Sequence, residues 1–251
     1  MTVELMAQDN VGIPTADCST CPHRDDRLKT GRCNPGDICV RVMSGRQIER
    51  FFKANPDLAE AYAGDEFWER RAIAARYLSQ QRLLQMLDDP DEVVRRVLAY
   101  RIPIEELQPL INDQDREVRI TVADRLPNAL LEKMVKDDDY MVRHTVAKRL
   151  LPGRLFRMIL DKDRDVRKTV ASRLPVESIG LMMNDPEPEV RLVVAERHDE
   201  AGLGQLLSDS DWRVRLVACQ RAPLNLLSQM LDDEDDDVRR VAELRLSEQQ
   251  D

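Results

Sequence analysis

One string, V-R-x-x-V-A-x-R-L-P beginning at Val118, returns in the same frame every 24 residues. A period that short and that strict leaves few folds open. Its first column is Val94, Val118, Val142, Val166, Val190, Val214 and Val238, and an arginine follows each valine, from Arg95 to Arg239. A second arginine column, Arg101 to Arg245, stands six residues after the first. An aspartate precedes each valine by five: Asp89, Asp113, Asp137, Asp161, Asp185, Asp209 and Asp233. Between these blocks lie two more apolar columns, Leu83 to Leu227 and, three residues on, Met86 to Met230.

Each unit has a physical reading. The aspartate suits a helix N-cap, where a carboxylate accepts orphan backbone N–H groups. Pro90 and Pro186, directly after such aspartates, fit a helix start. Val118, Val122 and Leu126 are spaced four apart and make one apolar stripe. Pro127 ends the helix, because proline bars its predecessor from the helical region; Pro103, Pro152, Pro175 and Pro223 repeat the stop. This predicts a helix of about twelve residues, roughly 18 Å long. About ten residues remain, room for one or two turns that are partly 3₁₀. A second full helix does not fit, which separates the unit from tetratricopeptide and HEAT repeats. The strand alternation of an ordinary leucine-rich repeat is absent. Asp65 to Leu78 reads as one more helix, a repeat displaced by one residue through Arg70 and Arg76. With Phe51, Phe52, Tyr62, Phe67 and Trp68 it forms an expected cap on the first repeat.

Composition agrees. Apolar residues make up 42% of the 251, aromatics only 4% and charged residues 34%. That is too apolar for disorder and poor in the aromatics that strands favour. A net charge of −9 argues against general affinity for nucleic acid or anionic membranes. Met1 to Val11 shows no basic start or apolar run, and no stretch is long enough to span a bilayer, so a cytoplasmic protein is expected. Cys219 falls in the alanine column and reads as a packing residue; His144 reads as solvated. His198 and Asp199 replace the usual Leu-Pro stop and precede Gly202 and Gly204, which reads as a degenerate, flexible repeat.

The other four cysteines crowd into Cys18-x₂-Cys21-x₁₁-Cys33-x₅-Cys39, among Pro14, Pro22, Gly31, Asn34, Pro35 and Gly36. Loops let four thiolates converge, and in a reducing compartment such a cluster reads as metal ligation. Tetrahedral zinc and an iron–sulfur cubane both use four cysteines, and the spacing leaves both open. Arg24, Arg27, Lys29, Arg32 and Arg41 outnumber Asp25, Asp26 and Asp37 and offset the charge of either. His23 is an alternative ligand, though four cysteines already suffice.

The repeat columns from Asp89 to Arg245 resemble the leucine-rich repeat variant family. The resemblance implies an all-α solenoid that alternates a long α-helix with a short 3₁₀-like helix and winds into a right-handed superhelix. A cysteine cluster ahead of such repeats is similar to iron–sulfur members of that family from nitrogen-fixing bacteria. That likeness implies a [4Fe–4S] cluster, with zinc as the alternative, on Cys18, Cys21, Cys33 and Cys39, and a link to nitrogen fixation. The expected organisation is a cluster segment over 1–43, a helical cap over 44–80 and the solenoid over 81–251. No catalytic constellation is visible: there is no glycine-rich phosphate loop and there are only three histidines. The function expected is a non-enzymatic scaffold for a protein partner, with the cluster fixing or sensing the assembly. Electron transfer with the repeats as docking arm, and nucleic-acid binding through the arginine ladders, are the alternatives. No membrane partner is expected.

Overall fold

The structure, a computed structural model, describes residues 12–248. The reading of Met1 to Val11 lies outside them. Two compact units divide the chain, Met1–Arg125 and Leu126–Asp251. Among the described residues there is no strand, only an isolated bridge between Asn34 and Ile38. No helix among them is long and apolar enough to cross a membrane.

The first unit carries helices Gly45–Ala54, Trp68–Ala74, Gln80–Leu84, Glu92–Arg101 and Arg116–Arg125, with 3₁₀ turns at Pro56–Tyr62, Ile104–Glu106 and Gln108–Asn112. The second alternates α-helices (Tyr140–Arg149, Arg164–Arg173, Pro188–Arg197, Trp212–Arg221 and Asp236–Ser247) with short segments that are wholly or partly 3₁₀. This is an all-α repeat solenoid. The valine column from Val94 to Val238 and the column from Leu83 to Leu227 are fully buried, and the Met86 to Met230 column is nearly so. Within each unit, the repeats are therefore completed by their neighbours. Cys219 is buried beside the alanines of its column, as a packing residue.

The capping carboxylate differs from the expected one. Asp91, Asp139, Asp163, Asp211 and Asp235 are the N-caps, each accepting a helix N–H, and Asp115 does the same for Glu117 and Val118. The interior helices consequently start two residues late and run ten residues, not twelve. Pro188, rather than Pro186, sits in a helical first turn.

The earlier aspartate has another task. Asp185 accepts two hydrogen bonds from the Arg167 guanidinium, Nε to Oδ2 at 2.7 Å and Nη2 to Oδ1 at 3.1 Å. Arg167 Nη1 reaches back to the carbonyl of Asp161 in its own repeat at 2.8 Å. The same fork joins Arg71 to Asp89, Arg95 to Asp113, Arg143 to Asp161, Arg191 to Asp209 and Arg215 to Asp233. Bidentate pairs of this kind fix geometry as well as charge. The Arg215 hydrogen bonds hold Asp233 below the usual carboxylate range despite burial.

The second arginine column acts at helix ends. Arg125 donates to the Ala99 carbonyl at 2.6 Å, Arg245 to Cys219 at 2.8 Å, and Arg101, Arg173, Arg197 and Arg221 reach the corresponding carbonyls of the preceding helix. The last carbonyls of a proline-stopped helix lack intrahelical donors, and these guanidinium groups supply them.

Two further expectations are corrected. The first repeat is not displaced: Arg71, not Arg70, holds the ladder position, with Ala74, Ala75 and Leu78 buried in frame. Its helix starts only at Trp68, because Asp65 accepts the Phe67 N–H at 2.9 Å and holds the turn; Trp68 itself is 37% exposed. The repeat at His198 keeps its frame. Asp199 caps the next turn through the Gly202 N–H, 3.0 Å away, and accepts from His198 Nδ1. The imidazole fits because Gly202 has no side chain: a Cβ there would lie 1.8 Å from His198 Cε1.

Arg167 and Asp185 keep side-chain exposures of 9% and 4%. Removing one partner strands the other charge, so Asp185→Ala is expected to cost about 3–5 kcal/mol in urea denaturation. An Arg167→Met, Asp185→Leu double variant is expected to cost less than that single change. Leu155→Ala, in a fully buried column, is expected to cost about 2–5 kcal/mol. On acidification, the depressed carboxyl of Asp233 contributes stability that is complete above the unfolded value and disappears as pH falls through its lower folded value. Melting temperature measured from neutral pH down to about pH 3 reads this out; an invariant midpoint contradicts it.

Candidate metal centre

The cysteine segment is built from hydrogen-bonded turns. The Cys21 N–H donates to the Cys18 carbonyl at 3.3 Å, and the Arg24 N–H to the Cys21 carbonyl at 3.1 Å. Arg24–Leu28 then forms one π-helical turn. The Arg27 carbonyl accepts from Arg32 at 2.8 Å and from Cys33 at 3.2 Å, which returns the chain toward Cys18. That return needs Gly31 at φ 73°, a left-handed conformation that favours glycine. The Asn34–Ile38 bridge, with Gly36 at φ 83°, makes the next reversal and delivers Cys39.

All four sequence-derived candidates, Cys18, Cys21, Cys33 and Cys39, line one cavity. Every one is a free thiol; Cys39 is buried and the other three are half-buried. Pro35, Ile38, Val40 and Phe51 give the cavity an apolar wall, and Arg41 lies on it too. Burial first, then the charges of Cys21 and Cys39, push the Cys18 thiol above its ordinary value; Cys33 is raised by the same causes. Thiolates placed together in this way need a cation or cationic cluster among them, and the soft sulfur donor set suits zinc or iron–sulfur. The donor set therefore fits either group.

His23 also lines the cavity, but its Nε2 lies 2.7 Å from the Tyr62 hydroxyl and its ring is 5.3 Å from Phe51. Burial, with a smaller push from the Cys21 charge, raises Tyr62 to about 12. Much of the predicted positive charge is already paired: Arg27 with Asp26 and Asp57, Lys29 with Asp25, and Asp37 with Arg50. Arg24 and Arg41 remain next to the thiols, and Arg24 acts to lower Cys18.

Two residues that sequence reasoning passed over hold the loops in place. Asn55 is fully buried at the end of Gly45–Ala54, and its amide donates to the carbonyls of Arg32 and Phe51, both at 2.9 Å. Gln47 accepts the Cys39 N–H at its carbonyl, 3.3 Å away, and its side chain donates to Pro14 at 2.9 Å. Asn55 reads in sequence as a helix start because proline follows it, and nothing local signals its contact with Arg32. Asn55→Ala is expected to lower stability by about 1–3 kcal/mol and to weaken metal retention. Metal content after gel filtration, compared with wild type, checks the second effect; unchanged retention contradicts it.

Comparison with known proteins bears on both halves. Residues 11–61 match the family model described as "LRV protein FeS4 cluster", so an iron–sulfur cofactor is supported for this segment. Residues 68–91 and 164–187 match the model for the leucine-rich repeat variant. A solved structure described as a leucine-rich repeat variant with a novel repetitive structural motif is 56% identical, with a TM-score of 0.86, and the match covers 93% of this chain and 100% of that one. An uncharacterized 27.7 kDa protein in the nifB 3′ region of Rhodobacter capsulatus is 38% identical over 87 residues. That match spans 35% of this chain and 35% of the relative's own length. On the near full-length structural match and its identity, the chain belongs to the leucine-rich repeat variant family.

Proposed function

We propose that Cys18, Cys21, Cys33 and Cys39 hold a [4Fe–4S] cluster, and that the repeats form a non-enzymatic scaffold for a protein partner. The observation that carries the first half is four free thiols lining one cavity. A mononuclear zinc draws its sulfurs to about 2.3 Å from a single point, whereas a cubane spreads them around a larger body. The matched FeS4 family model supports iron.

A bound cluster of this kind supplies one-electron chemistry. The chain contributes the four thiolates, a largely apolar wall that limits water, and the cations Arg24 and Arg41 beside an anionic centre. The scaffold half rests on a solenoid whose chemistry is repeated packing, with carboxylates committed to caps and arginine forks. Six first-column arginines, from Arg71 to Arg215, are bonded within the chain and leave no guanidinium fork for phosphates. This weighs against the nucleic-acid reading. Free thiols are in keeping with a reducing compartment such as the cytoplasm. The link to nitrogen fixation is supported by the printed name of the Rhodobacter relative alone.

Anaerobically prepared protein is expected to be brown, to absorb broadly near 400 nm, to bleach with dithionite, and to contain about four iron and four sulfide per chain. Cys33→Ser is expected to lose most of that iron and colour. Colourless wild-type protein with stoichiometric zinc would refute the assignment.

A further inference from the structure

Five of the chain's seven lysines lie between Lys133 and Lys168. Residues 132–168 hold 11 basic against 7 acidic side chains, in a chain of net charge −9. This stretch and the repeat after it, both in the second unit, break the polar pattern of the outward columns. Leu160 is 90% exposed, where the matching residues of other repeats are Asn112, Lys136, Asn184 and Ser208. Leu181 is 64% exposed, where Lys133, Arg157 and Gln205 hold the column. Phe156 is 51% exposed beside the Arg157 guanidinium, which lies 5.7 Å from its ring centroid. Leu160 and Leu181 line one open groove together with Pro186 and Asn184. Nothing in the packing requires these side chains, because the inward face of both repeats is already filled by Leu155, Met158, Ile179 and Met182.

The basic rim belongs to the same surface. Glu132 binds Arg154 at 3.3 Å and Arg157 at 3.5 Å, which joins two successive short segments. Lys162 donates to the Asp138 carbonyl at 3.3 Å, across one repeat step. Lys133 and Lys136 stand one repeat before Arg157 and Leu160 in their columns, and both are exposed. An exposed apolar cluster with a polar rim marks an interaction site, and the positive rim selects the charge of what binds.

We infer that Leu160 and Leu181, with the exposed Phe156 of the Leu160 repeat, form a docking groove for an acidic, amphipathic segment of a partner protein, with Lys133, Lys136, Arg157 and Lys162 meeting its carboxylates. This rests on the scaffold reading above and assigns it a surface and a class of partner. A symmetric contact with a second copy is disfavoured, since it would set one basic rim against another.

The test pans the immobilised full-length chain against a displayed library of short random peptides, then titrates an enriched, fluorescein-labelled peptide. Enriched sequences are expected to combine Asp or Glu with Leu, Ile or Phe. Leu160→Asn and Leu181→Gln install residues that neighbouring repeats already carry, so melting temperature is expected to hold while binding weakens about ten-fold. Lys136→Glu and added salt are both expected to weaken binding. Peptides that bind Leu160→Asn and Leu181→Gln as tightly as wild type would overturn the groove and leave a scaffold role elsewhere on the repeats intact. A failure to enrich any peptide would overturn the groove and the scaffold reading together. A basic or uncharged consensus would overturn the acidic partner, and self-association abolished by Leu160→Asn would give the face to a second copy.

Discussion

The guanidinium groups of Arg71, Arg95, Arg143, Arg167, Arg191 and Arg215 span gaps that, among the described residues, no backbone hydrogen bond crosses. Arg167 holds the carbonyl of its own loop at Asp161 and the carboxylate of the next loop at Asp185. A helix of ten residues has little stability alone, and a repeat that exposes both flanks buries its apolar side only against a neighbour. Hydrophobic contact brings the repeats together but is non-directional. The fork fixes the step from one repeat to the next, since a planar guanidinium satisfies both oxygens of a carboxylate in one orientation. Arg101, Arg125, Arg173, Arg197, Arg221 and Arg245 of the second column then tie helix ends to the following repeat, and the Arg239 guanidinium bonds Asp233 and Asp236 of its own repeat.

Periodicity made the fold legible. Valine, leucine and methionine columns at a fixed spacing state which residues face inward, and burial bears that out position by position. The roles of the two acidic columns were less legible. Asp113 and Asp115 both precede a helix by a plausible capping distance, and local chemistry does not separate them. What separates them is Arg95, 18 residues before Asp113, whose fork takes the first carboxylate and leaves the second to cap. The same long-range partner explains Arg71: its helix does not follow the consensus, but the aspartate it needs stands in frame at Asp89.

The cysteine segment divides along the same line. Four cysteines among turn formers announce a site, because thiols that must converge need loops to carry them. The supports of that site are tertiary. Asn55 and Gln47 lie on or beside Gly45–Ala54 and reach back to Arg32, Pro14 and Cys39, so their role exists only once helix and loop are docked. His23 shows the converse: adjacent to Cys21 in sequence and lining the cavity, it is held by Tyr62, so proximity along the chain said little about its role.

Since inward columns and arginine forks are enough to specify the solenoid, outward columns are free to vary without cost to the fold. An outward position that drifts without selection for binding stays polar, because exposed apolar groups promote aggregation and gain nothing in packing. The column containing Leu160 otherwise holds Asn, Lys, Ser and Asp, and the column containing Leu181 otherwise holds Pro, Lys, Arg and Gln. Two leucines that share a groove on adjacent repeats are hard to attribute to drift, and a concentration of lysine around them adds a requirement that folding does not impose. The regularity of the repeat thus serves as its own reference: with the structural demand at each column known from the other copies, a departure that the core does not need points outward, toward a partner.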